Sequence, residues 1–147
     1  VYKRQIQNEY SLLCRLYDTD MNEMSYYENI SLLAYSPLAG GLLTGKYLNN
    51  EMPTDSRITR VSTIGDRVNK NAMKAVQEYM KISKKFNIHP VHLALAFCTK
   101  RPFMGSVIFG ATTDEQLDVV IKGLDVDLND EIMKEISLVY KNYALTF

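Results

Sequence analysis

An apolar run opens directly into a glycine-rich loop in the stretch Leu33-Ala34-Tyr35-Ser36-Pro37-Leu38-Ala39-Gly40-Gly41-Leu42-Leu43-Thr44-Gly45-Lys46-Tyr47. An earlier stretch, Gln7-Asn8-Glu9-Tyr10-Ser11-Leu12-Leu13, has the same character. Each predicts a short buried strand whose C-terminal end leads into a polar or glycine-rich loop. Parallel α/β folds bind their ligands at the carboxyl ends of the strands. We therefore look for a binding site where these two stretches end.

The composition is that of one soluble globular domain. The chain has 147 residues, of which 46% are hydrophobic and 23% charged, and its formal net charge is zero. A neutral chain has no general attraction for nucleic acid or for an anionic membrane, and no apolar run is long enough to cross a bilayer. The first residues lack an initiator Met and a signal peptide, so we expect a cytoplasmic protein of which this sequence is a fragment.

The two cysteines, Cys14 and Cys98, lie far apart in different predicted elements. A disulfide framework or a zinc site would need more ligands at closer spacing. The sequence therefore predicts reduced thiols and no metal site.

The periodicity of apolar residues predicts strands that alternate with helices. In chain order we predict a strand over 5–13, a short helix over 21–29, a strand over 31–36, an irregular segment from 40 to about 66, a helix from about 68 to 86, a helix that starts at Pro90 and stops near Pro102, a strand over 106–109, a helix from 113 to about 122 with a capping box at its start, and a last helix after 128–130. This pattern is typical of an α/β fold with a parallel sheet. Three strands cannot close a barrel, so we expect an open sheet edge.

Two loops have the composition of a phosphate site. The loop after the second strand brings Lys46 and Arg57, and Gly110 to Thr113 lead into a helix whose free N–H groups suit an anion. The residues alone leave an alternative open, in which the two cations are solvated and Thr113 is only a helix cap. The P-loop spacing of Gly40, Gly45 and Lys46 is a poor match, because Tyr47 stands where a Ser or Thr must reach Mg²⁺.

Taken together, these stretches resemble the C-terminal half of the aldo-keto reductases, in particular the branch that includes the potassium-channel beta subunits. The resemblance covers nearly the whole chain. It implies a (β/α)₈ TIM barrel, of which residues 1–147 would be a partial domain that supplies the last three strands and their helices. It also implies that the catalytic Asp, Tyr, Lys and His lie on earlier strands, so this chain would hold no catalytic residue. His89 and His92 flank a helix start and are predicted to be structural or surface residues.

The resemblance assigns cofactor contacts to individual residues. Gln7 matches the glutamine that hydrogen-bonds the nicotinamide carboxamide, and Tyr35 matches the aromatic residue that stacks on the ring. The remaining matches follow the cofactor from its pyrophosphate to its adenosine end: Ser36, Pro37, Leu38, Gly40 and Gly41 along the pyrophosphate, Lys46 and Arg57 near the pyrophosphate and the 2′-phosphate, and Gly110, Thr112 and Gln116 at the adenosine phosphate. Val119 and Val120 depart from the family, which often has an acidic residue and an asparagine there for adenine.

The resemblance implies an NADPH-dependent oxidoreductase that reduces aldehydes or ketones to alcohols, with this chain as the cofactor-binding half and no activity in the fragment alone. The alternative is a non-catalytic NADPH-binding regulatory protein similar to a channel beta subunit. The expected partners are a small-molecule carbonyl substrate and the N-terminal half of the same protein. A homo-oligomer is compatible with the resemblance, whereas nucleic acid and membrane insertion are not expected.

Overall fold

A computed structural model of the chain describes residues 4–61 and 67–147. Three strands, β1 (Gln5–Glu9), β2 (Ser31–Tyr35) and β3 (Met104–Ile108), form one parallel sheet in the order β1-β2-β3. The helices are α1 (Met21–Glu28), α2 (Arg57–Arg60), α3 (Lys70–Lys85), α4 (Pro90–Thr99), α5 (Asp114–Lys122) and α6 (Asp130–Asn142). The predicted α/β class and the parallel three-stranded sheet are confirmed. In the described part of the chain, β1 and β3 each pair on one side only.

Local hydrogen bonds explain why the first predicted strand is too long. β1 ends at Glu9 rather than Leu13, because the Ser11 hydroxyl accepts hydrogen bonds from the N–H groups of Leu13 and Cys14 and turns the chain there. Serine side chains offer the backbone this alternative to a strand. The third strand starts two residues earlier than predicted and ends at Ile108. Gly105 hides it from the pattern, since it lies where a Cβ would be 2.6 Å from the Ser31 hydroxyl.

The segment predicted to be irregular contains short helical turns. Residues Ala39–Thr44 and Leu48–Asn50 form 3₁₀ turns, and α2 follows. Residues 62–66 of the same predicted segment lie outside the described residues. The next helix begins at Lys70, because the Asn69 side chain accepts hydrogen bonds from the N–H groups of Asn71 and Ala72 and caps it.

The helices cover one face of the sheet. Leu32 and Ala34 of β2 are fully buried on that face, where they join a core with Tyr79 of α3, Phe97 of α4 and Ile136 of α6. Side chains alternate along a strand, so the residues between them point to the other face. That second face has no helix over it among the described residues. Within the same residues, no helix has the length and apolar character needed to cross a membrane.

Candidate functional site

Gln7 and Tyr35 lie on the uncovered face of adjacent strands. In the β1–β2 register Gln7 is opposite Leu33 and Glu9 is opposite Tyr35, so all four side chains share this face. Tyr35 is the last residue of β2 and its side chain is 39% exposed, and Gln7 is exposed as well. Gln7 stands in the middle of β1 rather than at its end. The strand ends therefore present an amide and an aromatic ring, two residues apart in register.

The loop that follows Tyr35 has an unusual backbone. Ser36 and Ala39 have φ angles of 55° and 49°, and Gly40 and Gly41 have φ angles of 68° and 98°. Left-handed backbone is uncommon for residues other than glycine and is often found at functional sites. The turn is closed by a hydrogen bond from the Ala39 N–H to the Ser36 carbonyl, at 2.8 Å. The chain thus turns sharply just beyond the exposed aromatic ring.

Lys46 folds back over the glycines of this loop. A Cβ on Gly41 would lie 3.1 Å from Cε of Lys46, so the absence of a side chain at Gly41 makes room for the lysine. The Lys46 ammonium lies 5.1 Å from the ring centroid of Tyr47, whose side chain is buried. Arg57, the first residue of α2, is exposed. The chain after Lys46 forms a 3₁₀ turn instead of the helix of a P-loop, as the sequence predicted.

The loop after β3 leads into the N-terminus of α5. The Thr113 hydroxyl accepts a hydrogen bond from the Gln116 N–H, which confirms half of the predicted capping box. The Gln116 side chain instead accepts from the N–H and hydroxyl of Thr112, at 3.1 and 3.2 Å. Gly110 faces open space, because a Cβ there would meet nothing within 4 Å.

Two carboxylates modify the electrostatics of this helix start. Asp114 and Glu115 lie in the first turn of α5. A hydrogen bond from the Thr113 side chain lowers the pKa of Glu115 below its ordinary value. Carboxylates are favoured at a helix N-terminus, where they use the same positive potential that an anionic ligand would use. A phosphate at this end therefore depends on cations from elsewhere.

An apolar cluster joins the two loops. Leu38, from the loop after β2, and Val119 of α5 pack against Val91 and Leu95 of α4 and against Val120. Val120 is 5% exposed. This packing explains the departure noted in the sequence, because Val120 serves the core and presents no polar group to an adenine. The convergence of Lys46 and Arg57 with Thr112 and Gln116 remains a prediction.

The sequence analysis missed an ion pair at the end of β1. Arg67 donates two parallel hydrogen bonds to the Glu9 carboxylate, from Nη1 to Oε1 and, at 2.8 Å, from Nη2 to Oε2. The Glu9 side chain is 14% exposed, and the Phe147 ring covers the guanidinium at 4.8 Å. Spacing along the chain gives no signal for this contact, although the position of Glu9 two residues after Gln7 places both on one face.

The histidines and cysteines have structural surroundings. His89 caps α4 by accepting a hydrogen bond from the Val91 N–H, and Nε2 of His92 lies 2.7 Å from the Val119 carbonyl oxygen. Both histidines are therefore structural, as predicted. Cys14 is half-buried and Cys98 fully buried, and both are free thiols, with burial the main cause of their raised pKa.

The described residues fit a nicotinamide dinucleotide. Such a ligand needs a flat surface and an amide partner for the nicotinamide, and cations or N–H groups for its phosphates. Tyr35 and Gln7 offer the first two on one face, and Lys46 and Arg57 offer exposed cations on the loop that leaves Tyr35.

Comparison with known proteins gives consistent results. A sequence model of the Aldo/keto reductase family matches residues 4–141. Protein tas of Escherichia coli (strain K12) is 41% identical over 139 residues, which cover 95% of this chain and 40% of that protein. A probable voltage-gated potassium channel subunit beta of Arabidopsis thaliana is 32% identical over 125 residues, covering 82% and 38%.

The structure is also similar to a solved one. The glycerol dehydrogenase AKR11B4 from Gluconobacter oxydans matches with a TM-score of 0.75 at 22% identity, over 96% of this chain and 43% of that one. At this identity the likeness shows the fold alone, which is that of a (β/α)₈ barrel. The chain spans about 40% of the length of the relatives that it matches.

Proposed function

This chain belongs to the aldo/keto reductase family, and from that premise we propose that it is the cofactor-binding part of an NADPH-dependent oxidoreductase that reduces aldehydes or ketones to alcohols. The observation that carries the proposal is the position of Tyr35. Its exposed ring ends β2 on the same face as the Gln7 amide, and the left-handed turn follows at once. In a parallel α/β fold, ligands bind at this end of the strands.

Each group has a part in the proposal. The Tyr35 ring stacks on one face of the nicotinamide and leaves the other face to the substrate, while the Gln7 amide holds the carboxamide and fixes which face is exposed. Ser36, Pro37, Leu38, Gly40 and Gly41 follow the pyrophosphate, and Lys46 and Arg57 bind its anionic groups. The loop of Gly110, Thr112 and Gln116 contacts the adenosine phosphate. When bound, the cofactor supplies the hydride that reduces the carbonyl carbon.

The acid that protonates the carbonyl oxygen is proposed to come from the rest of the protein. Three features support a partial domain: the length relative to the relatives, the one-sided pairing of β1 and β3 in the described chain, and an exposed apolar stripe on α5. The stripe consists of Leu117, Ile121 and Leu124, at helical spacing. Further strands and helices of the barrel would cover these edges. The isolated chain is accordingly expected to show no reductase activity.

A second function has a specific observation in its favour. The chain is similar to proteins named as probable potassium channel beta subunits, in two plants. A regulatory protein that binds NADPH with little turnover would use the same site residues. The difference would lie in the catalytic groups, for which this chain has no candidate.

One experiment separates the two functions. The complete protein is titrated with NADPH under fluorescence detection and then assayed for NADPH oxidation with a panel of aldehydes and ketones. Binding with turnover supports the oxidoreductase, and binding without turnover on any substrate supports the regulatory protein. Failure to bind either NADPH or NADH would refute both. The isolated chain is assayed in parallel, and its turnover would contradict the partial-domain proposal.

A further inference from the structure

Both ends of the loop that carries the two cations are fixed at one place in the sheet. The loop leaves β2 at Tyr35, and Tyr35 is the register partner of Glu9. The chain returns to Glu9 through Arg67, whose guanidinium makes the two parallel hydrogen bonds described above. Bidentate pairs of this kind fix orientation as well as distance. The ion pair therefore closes the loop across the carboxyl ends of β1 and β2.

The Arg67 side chain is held from its other side by the last residues of the chain. The Phe147 ring lies 4.8 Å from the guanidinium carbon. Thr146 is buried, and its hydroxyl donates to the Leu13 carbonyl at 2.8 Å, while its own carbonyl accepts from the Asn69 side chain at 2.5 Å. The C-terminal residues thus lock the segment around Arg67 onto the end of β1.

The two cations in the loop are anchored differently. Lys46 adjoins Leu43 and Tyr47, which are buried in the core. Arg57 lies on α2, a helix of four residues whose buried members are Ile58 and, at its cap, Ser56. A helix this short is not stable by itself. Its orientation depends on how the chain is held on either side, and on the C-terminal side the described anchor is Arg67.

We infer that Arg67 is a positioning residue for Arg57: its bond to Glu9 fixes the end of the loop and so presents the Arg57 guanidinium to the cofactor phosphate. This inference rests on the proposed function. A fixed guanidinium loses less conformational entropy when it binds a phosphate, so the effect falls on affinity. It falls mainly on NADPH, whose additional phosphate is the group that Arg57 is proposed to bind.

An electrostatic alternative predicts a different result. Arg67 also neutralises Glu9, and an unpaired carboxylate beside Tyr35 would repel an anionic cofactor without any change in the loop. The double variant E9Q/R67M removes both charges. If Arg67 acts by position, this variant binds NADPH as weakly as R67M. If Arg67 acts only by neutralising Glu9, the double variant recovers the affinity of the wild type.

The test is a set of dissociation constants for NADPH and NADH, measured by fluorescence titration on the complete protein. We expect R67M to raise the NADPH constant about tenfold, a typical coupling for groups in one network. The NADH constant should change by less than about twofold, and R67K should fall between wild type and R67M because it keeps the charge but not the fork. In an R57A background, R67M should add less than about twofold.

Controls make the outcomes decisive. R60M removes an arginine from α2 whose only ion pair in the described residues is an exposed one with Asp55, at 3.8 Å, and it should leave both constants unchanged. If R67M does not fold, E9Q breaks the same pair more mildly and should raise the NADPH constant in the same direction. Equal effects of R67M with and without Arg57, or recovery in E9Q/R67M, would overturn the inference. A wild type that binds neither nucleotide would refute the proposed function itself.

Discussion

Tyr35 stands directly opposite Glu9 in the β1–β2 register, on the face of the sheet that the helices leave uncovered. The two side chains have different environments, since the Glu9 carboxylate is paired with Arg67 while the Tyr35 ring is exposed. An exposed ring at the end of a central strand has little to gain in folding from its aromatic face. Its stacking surface is free for a ligand.

The first prediction concerns this ring. Replacing Tyr35 by Ala in the complete protein should weaken cofactor binding by on the order of 1 kcal/mol, which is the scale of one aromatic stack beyond its buried area. The loss should be similar for NADPH and NADH, because both carry the same nicotinamide. Tyr35→Phe is the matched control, since it keeps the ring and should keep the affinity. Titration of each variant with both nucleotides checks this, and an unchanged affinity in Tyr35→Ala would remove the nicotinamide assignment.

The second prediction concerns the choice of cofactor. Arg57→Ala should raise the dissociation constant for NADPH by about tenfold to a hundredfold, or roughly 1.4–2.8 kcal/mol. NADH lacks the 2′-phosphate and should hardly be affected, because charge-assisted hydrogen bonds to that group are what arginine adds. Arg60→Ala, on the same short helix, serves as the control. An equal loss for both nucleotides would mean that Arg57 binds the pyrophosphate or supports the fold, and the NADPH preference would have to be withdrawn.

The fold could be predicted where local patterns and local structure agree. The apolar run before Pro37 gave β2 closely, and Pro90 marked the start of α4. The ends of β1 and β3 were wrong, because the Ser11 turn and the close approach at Gly105 depend on neighbours that the pattern does not contain. The face shared by Gln7 and Tyr35 follows from strand alternation, so it could be anticipated.

Contacts between distant parts of the chain could not be predicted in this way. Glu9 and Arg67 are 58 residues apart, and nothing in either local sequence indicates their pairing. The same holds for Asp18 and Arg101, 83 residues apart. Such pairs depend on the path of the whole chain, which only the three-dimensional structure gives.

The third prediction tests the buried charge cluster around Asp18. Its carboxylate accepts from the Tyr10 hydroxyl at 2.8 Å, from Nε of Arg15 at 2.8 Å and from Nη2 of Arg101 at 3.1 Å. These side chains are largely buried, so removing the shared carboxylate leaves two guanidinium groups without a counter-charge. Asp18→Asn should lower the free energy of unfolding of the complete protein by about 2–3 kcal/mol, measured by urea denaturation.

A surface carboxylate provides the comparison for Asp18. Asp127 pairs with Lys100 at 3.5 Å but is 85% exposed. Asp127→Asn should change the free energy of unfolding by less than about 0.5 kcal/mol, because water and salt screen such pairs. Similar losses in the two variants would show that burial gives the Asp18 cluster no special weight.

The last prediction is a pH dependence at the start of α4. Nδ1 of His89 accepts a hydrogen bond from the Val91 N–H at 3.2 Å, so this nitrogen must be unprotonated to cap the helix. Burial, and then the His92 imidazole, lower the pKa of His89 below its ordinary value. The ring of His92 lies 4.9 Å away, and Lys84 of α3 lines the same concavity, which adds a further positive charge. All three features oppose protonation of His89 in the folded protein.

The sign of the effect follows from this lowered pKa. Above the ordinary histidine pKa of about 6.5, His89 is neutral in the folded and unfolded states and its cap is intact. As the pH falls below that value, the unfolded chain binds a proton first, so the free energy of unfolding decreases until the pH passes the folded pKa. His89→Asn is the matched variant, because asparagine caps helices well and does not titrate here. Between pH 7.5 and 5, the complete wild-type protein should lose more stability in urea denaturation than His89→Asn. His92 titrates in both proteins and so cancels in the comparison, and parallel losses over this range would show that protonation of His89 does not weaken the cap.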